Sequence, residues 1–154
     1  MESIMRGVTV TGTRETSHRN PTWYADLFTS YLGPFATDEA HFYVGGATGI
    51  DSLAVLWLAG NTKSGITVVV PGTIAEQPAD ARQAIGQSRD RLTSVVELAA
   101  ASLQTSAYHA RNRWMVDRSE LVIGFPLEGT GASGTWYTIN YAAEQSKPRL
   151  VVPV

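Results

Sequence analysis

Cysteine is absent from this chain of 154 residues, and only 12 lysine and arginine side chains stand against 14 aspartates and glutamates. Without cysteine there is no thiolate nucleophile, and three histidines that lie far apart in the sequence give little support for a zinc site. No apolar run is long enough to cross a membrane, and residues 1–14 lack the basic flank and apolar stretch of a secretory signal. These absences favour a cytoplasmic protein with no metal, no cofactor and no membrane partner.

Positive charge is also scarce, since the formal net charge is −2. Binding to the phosphate backbone of nucleic acid needs a clustered excess of lysine and arginine, so the overall charge argues against it. Ten of the 12 basic residues are arginine, whose planar guanidinium suits phosphate and carboxylate oxygens. The length predicts one globular domain over residues 1–154, with a core that needs no disulfide.

Apolar segments alternate with segments of helical spacing along the whole chain. Strands are predicted at residues 7–12, 41–44, 66–70, 121–125 and 150–154. Helices are predicted at residues 21–32, 52–59, 78–91, 107–118 and 135–145. Residues 94–98 fit either a strand or more helix. This order predicts a Rossmann-like three-layer α/β/α domain with a mostly parallel sheet of about six strands.

Glycine-rich polar turns follow three of the predicted strands. They are GTR at residues 12–14, GGATGID at residues 45–51 and GTGASGT at residues 129–135. The second and third turns lead into predicted helices, so backbone N–H groups and the positive end of a helix dipole meet there. Because ligands of such sheets bind beyond the carboxyl ends of the strands, these turns predict a seat for phosphate. Their spacing matches neither the Rossmann dinucleotide fingerprint nor the P-loop.

Polar side chains near these turns have two interpretations each. Asp51 either caps the helix that follows it or accepts a hydrogen bond from a ribose hydroxyl. Arg111 and Arg113 either neutralise a bound phosphate or face solvent. Thr135 shares one helix face with Thr138, so both hydroxyls are expected to face the phosphate seat.

In this order the turns resemble the DprA/LOG-like superfamily, which joins bacterial DNA-processing recombination mediators to Lonely Guy phosphoribohydrolases. Residues 45–51 resemble the mediator loop Gly-Gly-Ala-Arg-Gly-Ile-Asp, with Thr48 in place of arginine. Residues 12–14 are similar to its Gly-Ser-Arg turn, residues 111–113 to its Arg-Asn-Arg element and residues 133–135 to its Ser-Gly-Thr loop. The resemblance covers most of the chain and implies the Rossmann-like fold with a nucleotide site at these turns.

The hydrolase branch of the superfamily is matched in spacing at Arg111, Met115, Ser119, Glu120 and Pro126. Thr138 then stands where that branch has its catalytic glutamate. Cleavage of an N-glycosidic bond needs a carboxylate to stabilise the ribosyl cation or to activate water, and a threonine hydroxyl does neither well. The carboxylates left to replace it, if the fold brings one there, are Asp51, Glu76 and Glu128.

These observations rank three functions. The first is a sensor or binding module for a nucleotide or nucleotide derivative, without a catalytic residue. The second is a phosphoribohydrolase acting on nucleoside 5'-monophosphates, and the third is a mediator-like protein that binds single-stranded DNA. The third ranks last because of the net charge and the missing loop arginine, while a homodimer stays open because relatives often dimerise. The residues expected to contact the ligand are Gly12, Thr13, Arg14, Gly45, Gly46, Ala47, Thr48, Gly49, Asp51, Arg111, Asn112, Ser133, Gly134, Thr135 and Thr138.

Overall fold

Within residues 6–154, the part of the chain that the computed structural model describes, strands and helices alternate. The strands are β1 (Arg6–Gly12), β2 (Ala40–Gly45), β3 (Gly65–Val70), β4 (Ser94–Glu97), β5 (Leu121–Phe125) and β6 (Arg149–Val151). The helices are α1 (Pro21–Tyr31), α2 (Ile50–Asn61), α3 (Ala79–Ser88), α4 (Thr105–Asp117) and α5 (Gly134–Glu144). The strands form one all-parallel sheet in the order β4-β3-β2-β1-β5-β6. The predicted Rossmann-like fold is confirmed.

The order of the strands reverses at β1. The chain proceeds from β1 through β2 and β3 to β4 at one edge, and then returns to place β5 and β6 on the other side of β1. Helices α1, α2 and α3 pack together on one face of the sheet, and α4 and α5 pack together on the other. The turns after β1 and β5 therefore diverge, and a crevice forms at the carboxyl ends of these two neighbouring strands.

Burial explains which strands were easy to predict. The apolar run of β3 is buried on both faces of the sheet, as expected for an inner parallel strand. At the edge, the side chains of β4 are half-buried or exposed, so residues 94–98 carry no clear apolar pattern. The strand predicted at 150–154 is β6 at Arg149–Val151, and beyond it the backbone N–H groups of Val152 and Val154 donate to the carbonyls of Gly124 and Pro126.

Helix ends follow local capping and packing. Asn20 caps α1 by accepting a hydrogen bond from the backbone N–H of Trp23 (2.9 Å), and Pro21 takes the first helical position. Residues 52–59 are apolar nearly all round, which predicts a helix buried on every side, but this prediction is wrong because Leu56 of α2 is 38% exposed. Among the described residues, none of the helices combines the length and apolar character that a membrane crossing requires.

Candidate anion-binding site

A pocket of about 310 Å³ lies in the crevice between β1 and β5. It combines residues from the turns after β1, β2 and β5 with the first turn of α2, the first two turns of α4 and the first turn of α5. Of the residues that the sequence points to, the structure brings together at this pocket Gly12, Thr13, Arg14, Ala47, Asp51, Arg111, Asn112, Ser133, Gly134 and Thr135. Segments that lie far apart in the sequence therefore share one cavity at the expected edge of the sheet.

The turn after β1 is tied to its neighbours by the main chain. The backbone N–H of Thr13 donates to the carbonyl of Phe125 (3.0 Å), and the N–H of Ile50 donates to the carbonyl of Thr13 (3.0 Å). Gly49 has a φ of +85°, and a Cβ atom there would lie 2.6 Å from the Thr13 carbonyl oxygen. Gly49 therefore lets the turns after β1 and β2 approach each other, which fixes the geometry of the pocket wall.

A carboxyl group and a guanidinium group are buried side by side in this wall. Asp51 is 6% exposed and Arg111 is 4% exposed, and a Cβ atom on Gly45 would lie 2.6 Å from both Oδ2 of Asp51 and Nη1 of Arg111. Nη1 of Arg111 donates to the carbonyl of Val69 (3.2 Å), and Nε donates to Oδ1 of Asn112 (2.7 Å). Gly45 thus leaves the space that the two ionisable side chains fill, and the end of β3 orients the guanidinium.

Burial shifts the pKa values of both groups. It raises the pKa of Asp51 to about 7, although Arg111, Arg14 and a backbone hydrogen bond from Ala47 all favour the charged carboxylate. Burial also lowers the pKa of Arg111, while the charge of Asp51 acts in the opposite direction. Arginine stays protonated even so, so the wall holds a fixed positive charge beside a carboxyl group that titrates near neutral pH.

An aromatic ring connects the two arginines of the pocket. The guanidinium carbon of Arg14 lies 5.0 Å from the ring centre of Tyr108, and that of Arg111 lies 5.8 Å from the same centre. Both distances allow a cation–π attraction. Arg14 is exposed at the mouth of the pocket and Arg111 is buried in its wall. The Tyr108 ring therefore lies between an exposed and a buried positive charge.

Five residues that line the pocket are not among those that the sequence motifs point to. They are Thr11, Glu15, Tyr108, Leu127 and Thr130. For Tyr108 a signal existed, because it precedes Arg111 by one helical turn and so occupies the same helix face. Trp136 donates from Nε1 to the Thr130 carbonyl (2.9 Å) and so holds the loop before α5 in place.

Other residues that the sequence points to lie outside the pocket. Gly45 sits beneath the buried pair, and a Cβ atom on Gly46 would touch Val70 at 2.5 Å. Thr48 donates from its hydroxyl to Oδ1 of Asp80 (2.9 Å), and so turns toward α3. Gly49 lines a separate, smaller depression between α2 and α3.

Thr138 is also absent from the pocket wall. Its side chain is 0% exposed, and its hydroxyl donates to the carbonyl of Gly134 (2.9 Å) in the preceding turn of α5. Thr135 lines the pocket one turn earlier, so the expectation that both hydroxyls face the ligand is wrong for Thr138. Among the carboxylates considered as substitutes for a catalytic glutamate, Asp51 lines the pocket, whereas Glu76 instead caps a short turn by accepting from the N–H of Thr73 (3.0 Å).

The fold and the pocket define a Rossmann-like α/β protein with a cationic crevice where the strand order reverses. The chain belongs to the DNA recombination-mediator protein A family, whose model matches residues 2–154. The resemblance inferred from the turns is therefore confirmed. None of the curated proteins matches this chain.

Solved structures of two family members share the fold. DNA processing protein A from Helicobacter pylori, described for its single-stranded DNA binding mode, is 19% identical with a TM-score of 0.71 over 97% of this chain and 66% of that one. DNA processing protein A from Streptococcus pneumoniae gives the same identity and TM-score over 97% of this chain and 51% of that one. The chain thus spans about half to two thirds of the length of these proteins. The single-stranded DNA binding described for the H. pylori protein is at odds with the low rank that nucleic-acid binding receives from the net charge and from Thr48.

Proposed function

We propose that the chain binds single-stranded nucleic acid by seating a phosphate group in the pocket between β1 and β5. The observation that carries this proposal is the pair of guanidinium groups, Arg14 and Arg111, that contact one Tyr108 ring on the wall of a single pocket. The first turn of α5 adds the positive end of its dipole through Ser133 and Gly134. Membership of the recombination-mediator family and the single-stranded DNA binding described for the H. pylori protein support the same class of partner.

The local charge of the pocket differs from the net charge of the chain. Two arginines line it, and they are opposed by Glu15 and by Asp51. Because burial raises the pKa of Asp51 to about 7, its carboxyl group is only partly ionised at neutral pH. The pocket is therefore positive at neutral pH, which suits an anion although the whole chain carries −2.

Binding of a fluorescent single-stranded oligonucleotide, followed by anisotropy, tests the proposal. Arg14→Ala removes the exposed guanidinium at the mouth of the pocket and is expected to weaken binding by about 1.5 to 3 kcal/mol, or roughly 10- to 100-fold. The plot of log affinity against log salt is expected to become shallower by about 0.7, the value for one phosphate contact on a single strand.

Arg149→Ala is the matched control, since Arg149 is an exposed arginine. It begins β6, and so lies at the amino ends of the strands, whereas the pocket lies at their carboxyl ends. This variant is expected to bind as the unmodified protein does. Equal losses in the two variants would mean that binding follows overall charge, and this pocket would then have no special part in it.

A free nucleotide is a second candidate ligand, and the size of the pocket favours it. About 310 Å³ is at the lower end of the range for small-molecule sites, and the lining combines backbone turns with hydroxyl and cationic groups. Mass spectrometry of ligand released from the purified protein, together with thermal shifts from a panel of nucleoside monophosphates, tests this function. Absence of any copurified nucleotide and of any thermal shift would count against it.

A further inference from the structure

The ionisable groups of the pocket lie at different depths. Arg14 and Glu15 are exposed in the turn after β1, whereas Asp51 of α2 and Arg111 of α4 are 6% and 4% exposed. Tyr108 of α4 is half-buried between the two levels. A ligand that only passes over the mouth can reach Arg14, but a ligand must enter the pocket to reach Arg111 and Asp51.

Because these groups lie at different depths, an internal phosphate and a terminal phosphate of a nucleic-acid strand do not have the same access to them. An internal phosphodiester carries a nucleoside on each side, so both flanking nucleosides would have to follow it into a pocket of about 310 Å³. A terminal phosphomonoester carries a nucleoside on one side only, and its free oxygens can lead into the pocket. We infer that the buried part of the pocket binds the phosphomonoester at the end of a strand, while Arg14 at the mouth contacts the strand without regard to its ends.

The chemistry of the wall fits a monoester better than a diester. A monoester carries a charge of about −1.5 to −2 at neutral pH and has three free oxygens, whereas a diester has one charge and two free oxygens. The Arg111 guanidinium is held by hydrogen bonds from Nη1 to the Val69 carbonyl and from Nε to Oδ1 of Asn112, and charge-assisted hydrogen bonds to it gain strength where water is excluded. The adjacent carboxyl group of Asp51 is a hydrogen-bond donor to a phosphate oxygen when it is protonated, and its raised pKa makes that form available near neutral pH.

This inference rests on the proposed function, and strand ends provide its test. Three oligonucleotides of one sequence, each with an internal fluorophore, are compared by anisotropy on the whole chain: one with a terminal phosphate at both ends, one with hydroxyl ends and one closed into a circle. The phosphorylated strand is expected to bind about tenfold or more tightly than the other two.

Arg14→Ala distinguishes the contribution of the pocket mouth to binding from that of the buried groups. It is expected to weaken all three strands by a similar factor and to leave the preference for the phosphorylated strand unchanged. If the circle binds as tightly as the phosphorylated strand, or if Arg14→Ala abolishes the preference, end recognition by the buried groups is overturned while strand binding stands. If no strand binds, the proposed function itself fails, and the inference falls with it.

Discussion

Asp51→Asn removes the titrating carboxyl group from the wall of the pocket while keeping the shape of the side chain. Asp51 is 6% exposed, and burial raises its pKa from 3.8 to about 7. In the unfolded chain the carboxyl group returns to its ordinary value near 3.8. Between these two pH values the folded protein holds a proton that the unfolded chain releases.

The direction of the pH effect follows from this difference. The contribution of Asp51 to the free energy of unfolding is complete below pH 3.8 and is lost as the pH rises to about 7, after which the contribution stays constant. The raised pKa corresponds to roughly 4 kcal/mol over the whole window, of which roughly 2 to 3 kcal/mol falls between pH 5 and pH 8. Asparagine does not titrate, so the variant is expected to gain this much stability relative to the unmodified protein over that interval.

Urea unfolding followed by tryptophan fluorescence at several pH values between 5 and 8 measures the effect. The difference between the two proteins cancels other titrations, such as that of His41, whose pKa is lowered by burial and whose effect has the opposite direction. Asp38→Asn is the control, because it makes the same change on an exposed side chain. A stability difference for Asp51→Asn that does not vary with pH would refute the account of the buried carboxyl group.

Three further substitutions test the geometry of the site. Gly45→Ala adds a methyl group 2.6 Å from both buried ionisable side chains, so anisotropy is expected to show binding of the end-phosphorylated strand at least about tenfold weaker, and the Tm is expected to fall. Gly131→Ala, where a Cβ atom meets open space, should change neither. Thr138→Glu puts a carboxyl group at a fully buried position, so urea unfolding is expected to show a free energy of unfolding lower by about 3 kcal/mol or more. If this variant releases free base from a nucleoside monophosphate, as detected by chromatography, residue 138 does not lie outside the pocket. Ser133→Ala removes the side chain that caps α5 and is expected to cost about 1 kcal/mol in urea unfolding; an unchanged midpoint would mean that this cap adds no stability.

The fold was predictable because its signals are local. A continuous apolar run such as that of β3 needs two covered faces, and a pattern of Asn20 followed by Pro21 begins a helix wherever it occurs before a helical segment. Strand β4 lacked such a signal, since an edge strand of four residues buries too little to impose an apolar pattern. Its identity as a strand depends on pairing with β3, which is a contact between distant parts of the chain.

The site was predictable as a set of turns but less so as individual side chains. Parallel strands bring their carboxyl ends to one edge, so the turns at residues 12–14 and 133–135 meet there whatever their exact conformation. Thr48 and Thr138 belong to the same motifs, but whether a hydroxyl faces the pocket depends on what else lies within hydrogen-bond reach. Asp80 and the Gly134 carbonyl are those partners, and the sequence does not reveal them.

The sequence by itself determined the alternation of strands and helices, the glycine-rich turns and the family, because hydrophobic period and short motifs are properties of neighbouring residues. Only the tertiary structure decided that Asp51 and Arg111 are buried together over Gly45, with Tyr108 between Arg111 and Arg14. Net charge is a sum over the whole chain, whereas the pKa of a carboxyl group and the potential of a pocket depend on distances and on exclusion of water. Those quantities exist only once the chain has folded, so the net charge of the sequence could not reveal that two arginines share this pocket.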